Sequence, residues 1–230
     1  MAVVSELVEL IVTGQIAEGE LLPPEGPLSD HFGVSRTVIR ESVKRLEEKG
    51  LVVVTQGRGT QVARSGSWNM LDPIVLSALI DNDESLGVLD ELTIVRGNLE
   101  SAMAGAVATR RTAEEMTRIE HALAAMREMQ HESDSFRQAD VVFHLTVMEL
   151  SRNRLAENIT KRLYRRALES SRYHGIGYED AFHSTLEEHA LVVDAISRQD
   201  VEAAERAMRD HIISSWQRRR FAPPPEETEL

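Results

Sequence analysis

Strand-forming sequence is confined to one short stretch of this chain. Leu51–Thr55 and Thr60–Ala63 are rich in Val and Thr, and Gln56-Gly57-Arg58-Gly59 joins them as a glycine-tipped hairpin. From Pro73 to about Arg220 no segment alternates like a strand. The expected class is therefore mainly α, with helices near 73–81, 85–108, 112–130, 133–152, 153–172, 180–197 and 200–219. Asp200 is the expected N-cap of the last.

Ahead of the hairpin, Val4, Leu7, Val8 and Ile11 form one stripe of a helix over residues 1–13, ended by Gly14. Gly19, Pro23 and Pro24 mark a loop, and Pro27–Phe32 is a short helix that Gly33 breaks. Ser35 caps a third helix, which runs to about Lys49 and stops at Gly50. On that helix Ile39, Val43 and Leu46 recur at core spacing. Arg36, Arg40 and Lys44 recur at four on another face, with Thr37 beside them. One stripe holds such a helix to its scaffold while the other offers cations and a hydroxyl to phosphates and base edges. An amphipathic surface helix with solvated charges has the same pattern. The order helix, helix, Ser-capped basic helix and hairpin favours a winged helix-turn-helix, Arg58 tipping the wing.

Charge supports that division. The chain carries a formal net charge of -12, yet residues 31–64 hold seven basic side chains against three acidic. The expected organisation is a DNA-binding domain over 1–64, a linker and connecting helix over 65–84 with Trp68 as an anchor, an all-helical antiparallel bundle over 85–220, and a disordered tail over 221–230. No run is long and apolar enough for a membrane span, and the start lacks the basic region of a signal peptide, so a cytoplasmic protein is expected. With no cysteine, any metal must be held by His and carboxylates.

Asp140 and His144 are four apart on a helical segment and project from one face. His189 and His211 lie on the last two helices, which should form a hairpin turning near 198–200 and bring both to a similar height. An Asp and three His from three helices can close on one divalent cation. On spacing alone the same residues also read as surface or core side chains. A centre of this kind can activate water for hydrolysis, but no general base or nucleophile motif accompanies it, so an enzyme is not expected.

Residues 7–63 resemble the winged helix-turn-helix of the GntR family. The resemblance is carried by Leu21-Leu22-Pro23-Pro24-Glu25, Phe32-Gly33-Val34-Ser35-Arg36-Thr37-Val38-Ile39-Arg40-Glu41, Leu46-Glu47-Glu48-Lys49-Gly50-Leu51 and Gly57-Arg58-Gly59-Thr60. It implies that Ser35, Arg36, Thr37 and Arg40 touch DNA together with wing residues Gly57, Arg58, Gly59 and Thr60, and the basic face adds Lys44. Gly26 stands where many members carry a polar side chain, so that contact is expected to be missing.

Residues 85–215 resemble the all-helical effector domain (FCD) of the FadR-like branch. Asp140-Val141-Val142-Phe143-His144, His189 and His211 match its metal-binding positions, and Arg96 matches an arginine that faces the effector. The resemblance implies zinc, or else nickel or manganese, with a small carboxylate effector completing the shell. Trp68-Asn69-Met70-Leu71-Asp72-Pro73-Ile74-Val75-Leu76 is similar to a linker segment common in the subgroup of galactonate and other sugar-acid operon regulators. The expected function is therefore a homodimeric regulator, more a repressor than an activator, binding a pseudo-palindromic double-stranded operator under control of a sugar acid. A metal-responsive regulator is the alternative. Arg172, Tyr173 and His174 either border the effector pocket or form a surface loop.

Overall fold

The computed structural model describes residues 2–170, 173 and 179–220. It divides into two compact units, Met1–Ser85 and Leu86–Leu230.

The first unit begins with α1 (Ala2–Val12), α2 (Glu25–Phe32) and α3 (Arg36–Glu48), followed by β1 (Val52–Thr55), β2 (Gly59–Val62) and α4 (Pro73–Asn82). Leu7 and Val8 of α1, Ile39 and Leu46 of α3, and Leu51 are wholly buried in one core that Val52 and Val62 of the hairpin close. Each such side chain contributes roughly 1.5–3 kcal/mol of burial. The strands pair antiparallel, from Val52 opposite Val62 to Thr55 opposite Gly59. The chain before α2, expected as loop, runs along the other edge of β2. Leu22 N–H donates to the Thr60 carbonyl and Val62 N–H to that of Glu20, both at 2.8 Å.

The stretch after the hairpin is fixed to this same core. Trp68 donates its indole N–H to the Ala63 carbonyl at 3.1 Å. Asp72 caps α4 by accepting from Ile74 N–H at 2.9 Å, with Pro73 in the first turn. Its other carboxylate oxygen meets Lys49 Nζ at 2.5 Å, at the end of α3. Val75 is fully buried among the residues of α1 and α3. Thus α4, expected as a connector, is built into the first unit, because its apolar stripe finds α1.

The second unit consists of α5 (Gly87–Arg110), α6 (Ala113–Glu128), α7 (Ser133–Leu150), α8 (Arg154–Glu169), α9 (Glu179–Ser197) and α10 (Val201–Arg220). No strand occurs among its described residues. Thr112 and Glu115 form a reciprocal capping box at the start of α6. Asp200 accepts from Ala203 N–H at 3.0 Å and starts α10 after a tight turn in which Gln199 takes a φ of 56°. α9 and α10 form the expected hairpin, α10 packs most heavily on α5, and α6 joins α7 and α9. Ile119, Met126, Phe143, Val192, Ile196 and Met208 are the centre of the core. The expectations for the tail, and for Arg172 and His174, lie outside the described residues.

Candidate DNA-reading face and metal centre

α3 divides by face much as its sequence dictates. Ser35 Oγ accepts from Val38 N–H at 3.4 Å and starts the helix, and Gly33, at a φ of 63°, turns the chain between α2 and α3. Ile39 and Leu46 are buried. The third buried position is Ser42, whose hydroxyl donates to the Val38 carbonyl at 2.8 Å, while Val43 is only half-buried. Ser35, Arg36, Thr37, Arg40 and Lys44 are all exposed.

Arg40 is oriented within this face. Its Nε–H lies 2.8 and 2.9 Å from the two carboxylate oxygens of Glu25, at the first turn of α2. The hydrogen bond from Arg40 holds the Glu25 carboxyl below its ordinary pKa, Arg36 adding to the effect. With Nε engaged, the terminal nitrogens of Arg40 still offer the planar fork that matches a guanine edge. Around Gly26 there is room for a side chain; a Cβ there would come no nearer than 3.8 Å to Arg36 Nη2. In the hairpin, Gly57 and Gly59 take φ of 77° and 94°, with Arg58 exposed between them and Thr60 half-buried beyond.

In the second unit the four residues singled out by spacing converge. One ligand atom from each of Asp140, His144, His189 and His211 lies within 4.8 Å of all the others. His144 Nε2 is 3.2 Å from His211 Nε2 and 3.4 Å from His189 Nε2. Asp140 Oδ1 is 3.5 Å from His189 Nε2 and 3.8 Å from His144 Nε2. A tetrahedral ion with ligands at roughly 2.0–2.1 Å needs ligand–ligand edges of about 3.3–3.4 Å. The three imidazoles are buried, and Asp140 Oδ1 is buried with no hydrogen-bond partner among the described residues.

The outer contacts say which nitrogens face inward. His144 Nδ1 lies 2.7 Å from Glu100 Oε2, and His211 Nδ1 lies 2.8 Å from Glu188 Oε2. An ionised carboxylate only accepts, so each Nδ1 carries the proton and each Nε2 presents a lone pair to the cluster. Burial, reinforced by His211 and His144, pushes His189 well below the ordinary imidazole pKa. Burial also lowers His211, with Glu188 opposing it. Burial alone would raise Glu100, but Arg96 and His144 overcome it and hold the carboxyl at about 2. Three imidazole Nε2 atoms that converge, beside an unpartnered buried carboxylate oxygen, fit a divalent cation.

Beside this cluster lies a buried polar wall. Arg96 donates from Nε to Glu100 Oε1 at 2.7 Å and from Nη1 to the Tyr173 hydroxyl at 2.8 Å, and its guanidinium lies 3.6 Å from the centre of the Tyr164 ring. Tyr164 in turn donates to Asp140 Oδ2 at 3.2 Å. Tyr173 is buried, stacked on Trp216, with Arg219 over its ring, so it belongs to this wall and not to a surface loop. Sequence reasoning missed Glu100, Tyr164, Glu188, Arg218 and Arg219. Only Glu100 left a signal, four residues after Arg96 on the same helix face.

Comparison with known proteins bears on both units. Residues 1–62 match the family "Bacterial regulatory proteins, gntR family", and residues 91–214 match the FCD domain. The galactonate operon transcriptional repressor of Escherichia coli K12 is 33% identical over 219 residues, which cover 94% of each chain. The chain belongs to the GntR family of transcriptional regulators, in its FCD-bearing branch. This GntR regulator is also 27% identical to the HTH-type transcriptional regulator LutR of Bacillus subtilis 168, over 89% of the chain and 94% of that protein. Among solved structures, a Listeria monocytogenes protein described as Lar, which controls expression of the agr system, shares the fold at a TM-score of 0.57 and 15% identity. That likeness covers 94% of each chain. The regulator is a DNA-binding protein of winged helix-turn-helix plus helical FCD architecture, and its named relatives are regulators rather than enzymes. Among the described residues no helix is long and apolar enough to cross a membrane.

Proposed function

We propose that this regulator is a repressor of a sugar-acid operon, with operator affinity set by a small organic acid bound beside a divalent metal on Asp140, His144, His189 and His211. The observation that carries the proposal is the convergence of those four ligand atoms within one buried cluster. Three neutral imidazoles and one carboxylate leave a divalent ion with net positive charge, which suits an anionic ligand. Arg96 binds Glu100 through Nε and Tyr173 through Nη1, and Glu100 in turn contacts the ligand His144, which leaves Nη2 outside those bonds for a carboxylate. A carboxylate spanning Nη2 and the ion would be held at both ends. Zinc is the ion proposed, nickel and manganese being the alternatives. The likeness to the galactonate operon repressor supports an aldonate as the ligand class.

On DNA, Ser35, Arg36, Thr37, Arg40 and Lys44 enter the major groove, and Gly57, Arg58, Gly59 and Thr60 reach the adjoining backbone. A homodimer presents two such units to a pseudo-palindrome in the cytoplasm, and effector binding favours an arrangement that no longer matches the half-site spacing. Gel shifts on the promoter region of its own gene, with and without D-galactonate and related aldonates, test this. Aldonate-dependent release is expected; release on metal removal with no response to any acid would overturn the organic-ligand form.

A second reading makes the metal itself the signal. It is favoured by the count of donors, since one carboxylate and three imidazoles already satisfy a four-coordinate ion. Operator affinity that tracks reversible metal occupancy would establish it, whereas an ion retained through dialysis would defeat it.

A further inference from the structure

We infer that Glu100 and Glu188 are positioning residues for the metal centre, each aiming one histidine through its Nδ1–H and each held by an arginine. The inference rests on the metal reading above. On one side Arg96 Nε binds Glu100 Oε1 at 2.7 Å, and Glu100 Oε2 accepts from His144. On the other, Arg218 grips Glu188 with two parallel bonds, at 2.6 and 2.8 Å, and Glu188 Oε2 accepts from His211. The same three-part chain, guanidinium to carboxylate to imidazole, is thus built twice from different helices and ends on two rings 5.2 Å apart. His189 lacks it. Its Nδ1 has no partner among the described residues, and its ring packs against Phe143 instead.

Stability alone does not account for the arrangement. Arg96 and Glu100 are almost wholly buried, and such a pair generally stabilises a fold no better than apolar side chains of the same volume. What the two chains do achieve is directional. A carboxylate that accepts from Nδ1 fixes the tautomer, turns Nε2 toward the ion and strengthens it as a donor. The arginines have a second effect. A divalent ion with Asp140, Glu100 and Glu188 alone would be a net anion, and the two guanidiniums restore a single positive charge for an organic acid to meet.

The Glu188 branch is open to test because it reaches solvent, the side chains of Glu188 and Arg218 being 22% and 30% exposed. Glu100→Gln would instead strand a buried Arg96. The full-length protein is stripped with chelator, then titrated with Zn(II) against a chromogenic competitor and with Co(II) for its visible ligand-field bands. The titrations compare wild type, Glu188→Gln, Glu188→Leu and Arg218→Met, with apo melting curves as a control on folding.

Zn(II) affinity should fall about 10- to 100-fold in Glu188→Leu, and less in Glu188→Gln, whose amide oxygen still accepts from Nδ1–H. The Co(II) bands should shift in Glu188→Leu and Arg218→Met. If Glu188→Leu fails to fold, the other two variants decide. Wild-type affinity and bands in the variants would overturn the inference while leaving the metal reading intact. A wild-type protein that takes up neither ion would overturn both.

Discussion

Two single residues show how backbone and side-chain demands can be separated. Gly50 ends α3 at a φ of 72°, and a Cβ there would run into the backbone carbonyl of Ser67. Neither the conformation nor the space suits an L side chain, so Gly50→Ala should destabilise the first unit by at least about 2 kcal/mol. Urea unfolding followed by Trp68 fluorescence, in a Trp216→Phe background, measures this. Arg40 makes no such structural demand, being exposed and, among the described residues, bound through Nε to Glu25. Arg40→Ala should abolish operator binding with unchanged circular dichroism and metal content. Arg40→Lys should fall nearly as far, because an ammonium has no fork to offer. Fluorescence anisotropy with a labelled operator reads both, and undiminished binding by either variant would remove Arg40 from base reading.

At the scale of elements, capping decides much of what local sequence controls. Thr112→Ala removes one half of the capping box on α6 and should cost about 1 kcal/mol, seen as a lower melting temperature for the second unit. The same local chemistry made the helices legible. Caps at Ser35 and Asp200 and breaks at Gly33 and Gly50 fall where residue type puts them. What lay beyond reach was pairing between distant segments. The apolar stripe of α4 is visible in the sequence, but not that α1 would receive it. Residues 20–22 read as loop because their partner on β2 lies some 40 residues on. The start of α2 at Glu25 precedes the expected Pro27, since Pro27 within the first turn needs no N–H and an acid is welcome there. In the site, helical rise and one hairpin turn brought Asp140, His144, His189 and His211 to similar heights but left a surface or core reading open, and it was the resemblance to the FCD domain that singled them out as one set. Glu188 was not legible, because it neighbours His189 in sequence yet serves His211 across the hairpin.

For the whole molecule, two separate cores carry two separate reporters. Trp68 packs in the first unit and Trp216 in the second. An ion that binds only the folded cluster stabilises that unit by about 2.7 kcal/mol at a concentration 100 times its Kd. Chelation should therefore shift the transition read by Trp216 and leave that of Trp68 in place, and a double variant with His144→Ala and His211→Ala should show neither the shift nor metal uptake. Movement of both transitions together would show that the units do not unfold separately.

The close approach of α5 and α10 carries a last consequence. At Gly105 a Cβ would come within 2.6 Å of Glu205 Cγ, and at Gly97 it would touch Arg209 and Ile213 at about 3.9–4.0 Å. Only the notch at Gly105 is one that a Cβ would overfill, and His211 rides on the helix that lies against it. Glu205 lies six residues, under two turns, before His211, so a side chain at position 105 large enough to push α10 outward would disturb the imidazole, and a survey of metal-loss mutants should recover positions that never face the ion.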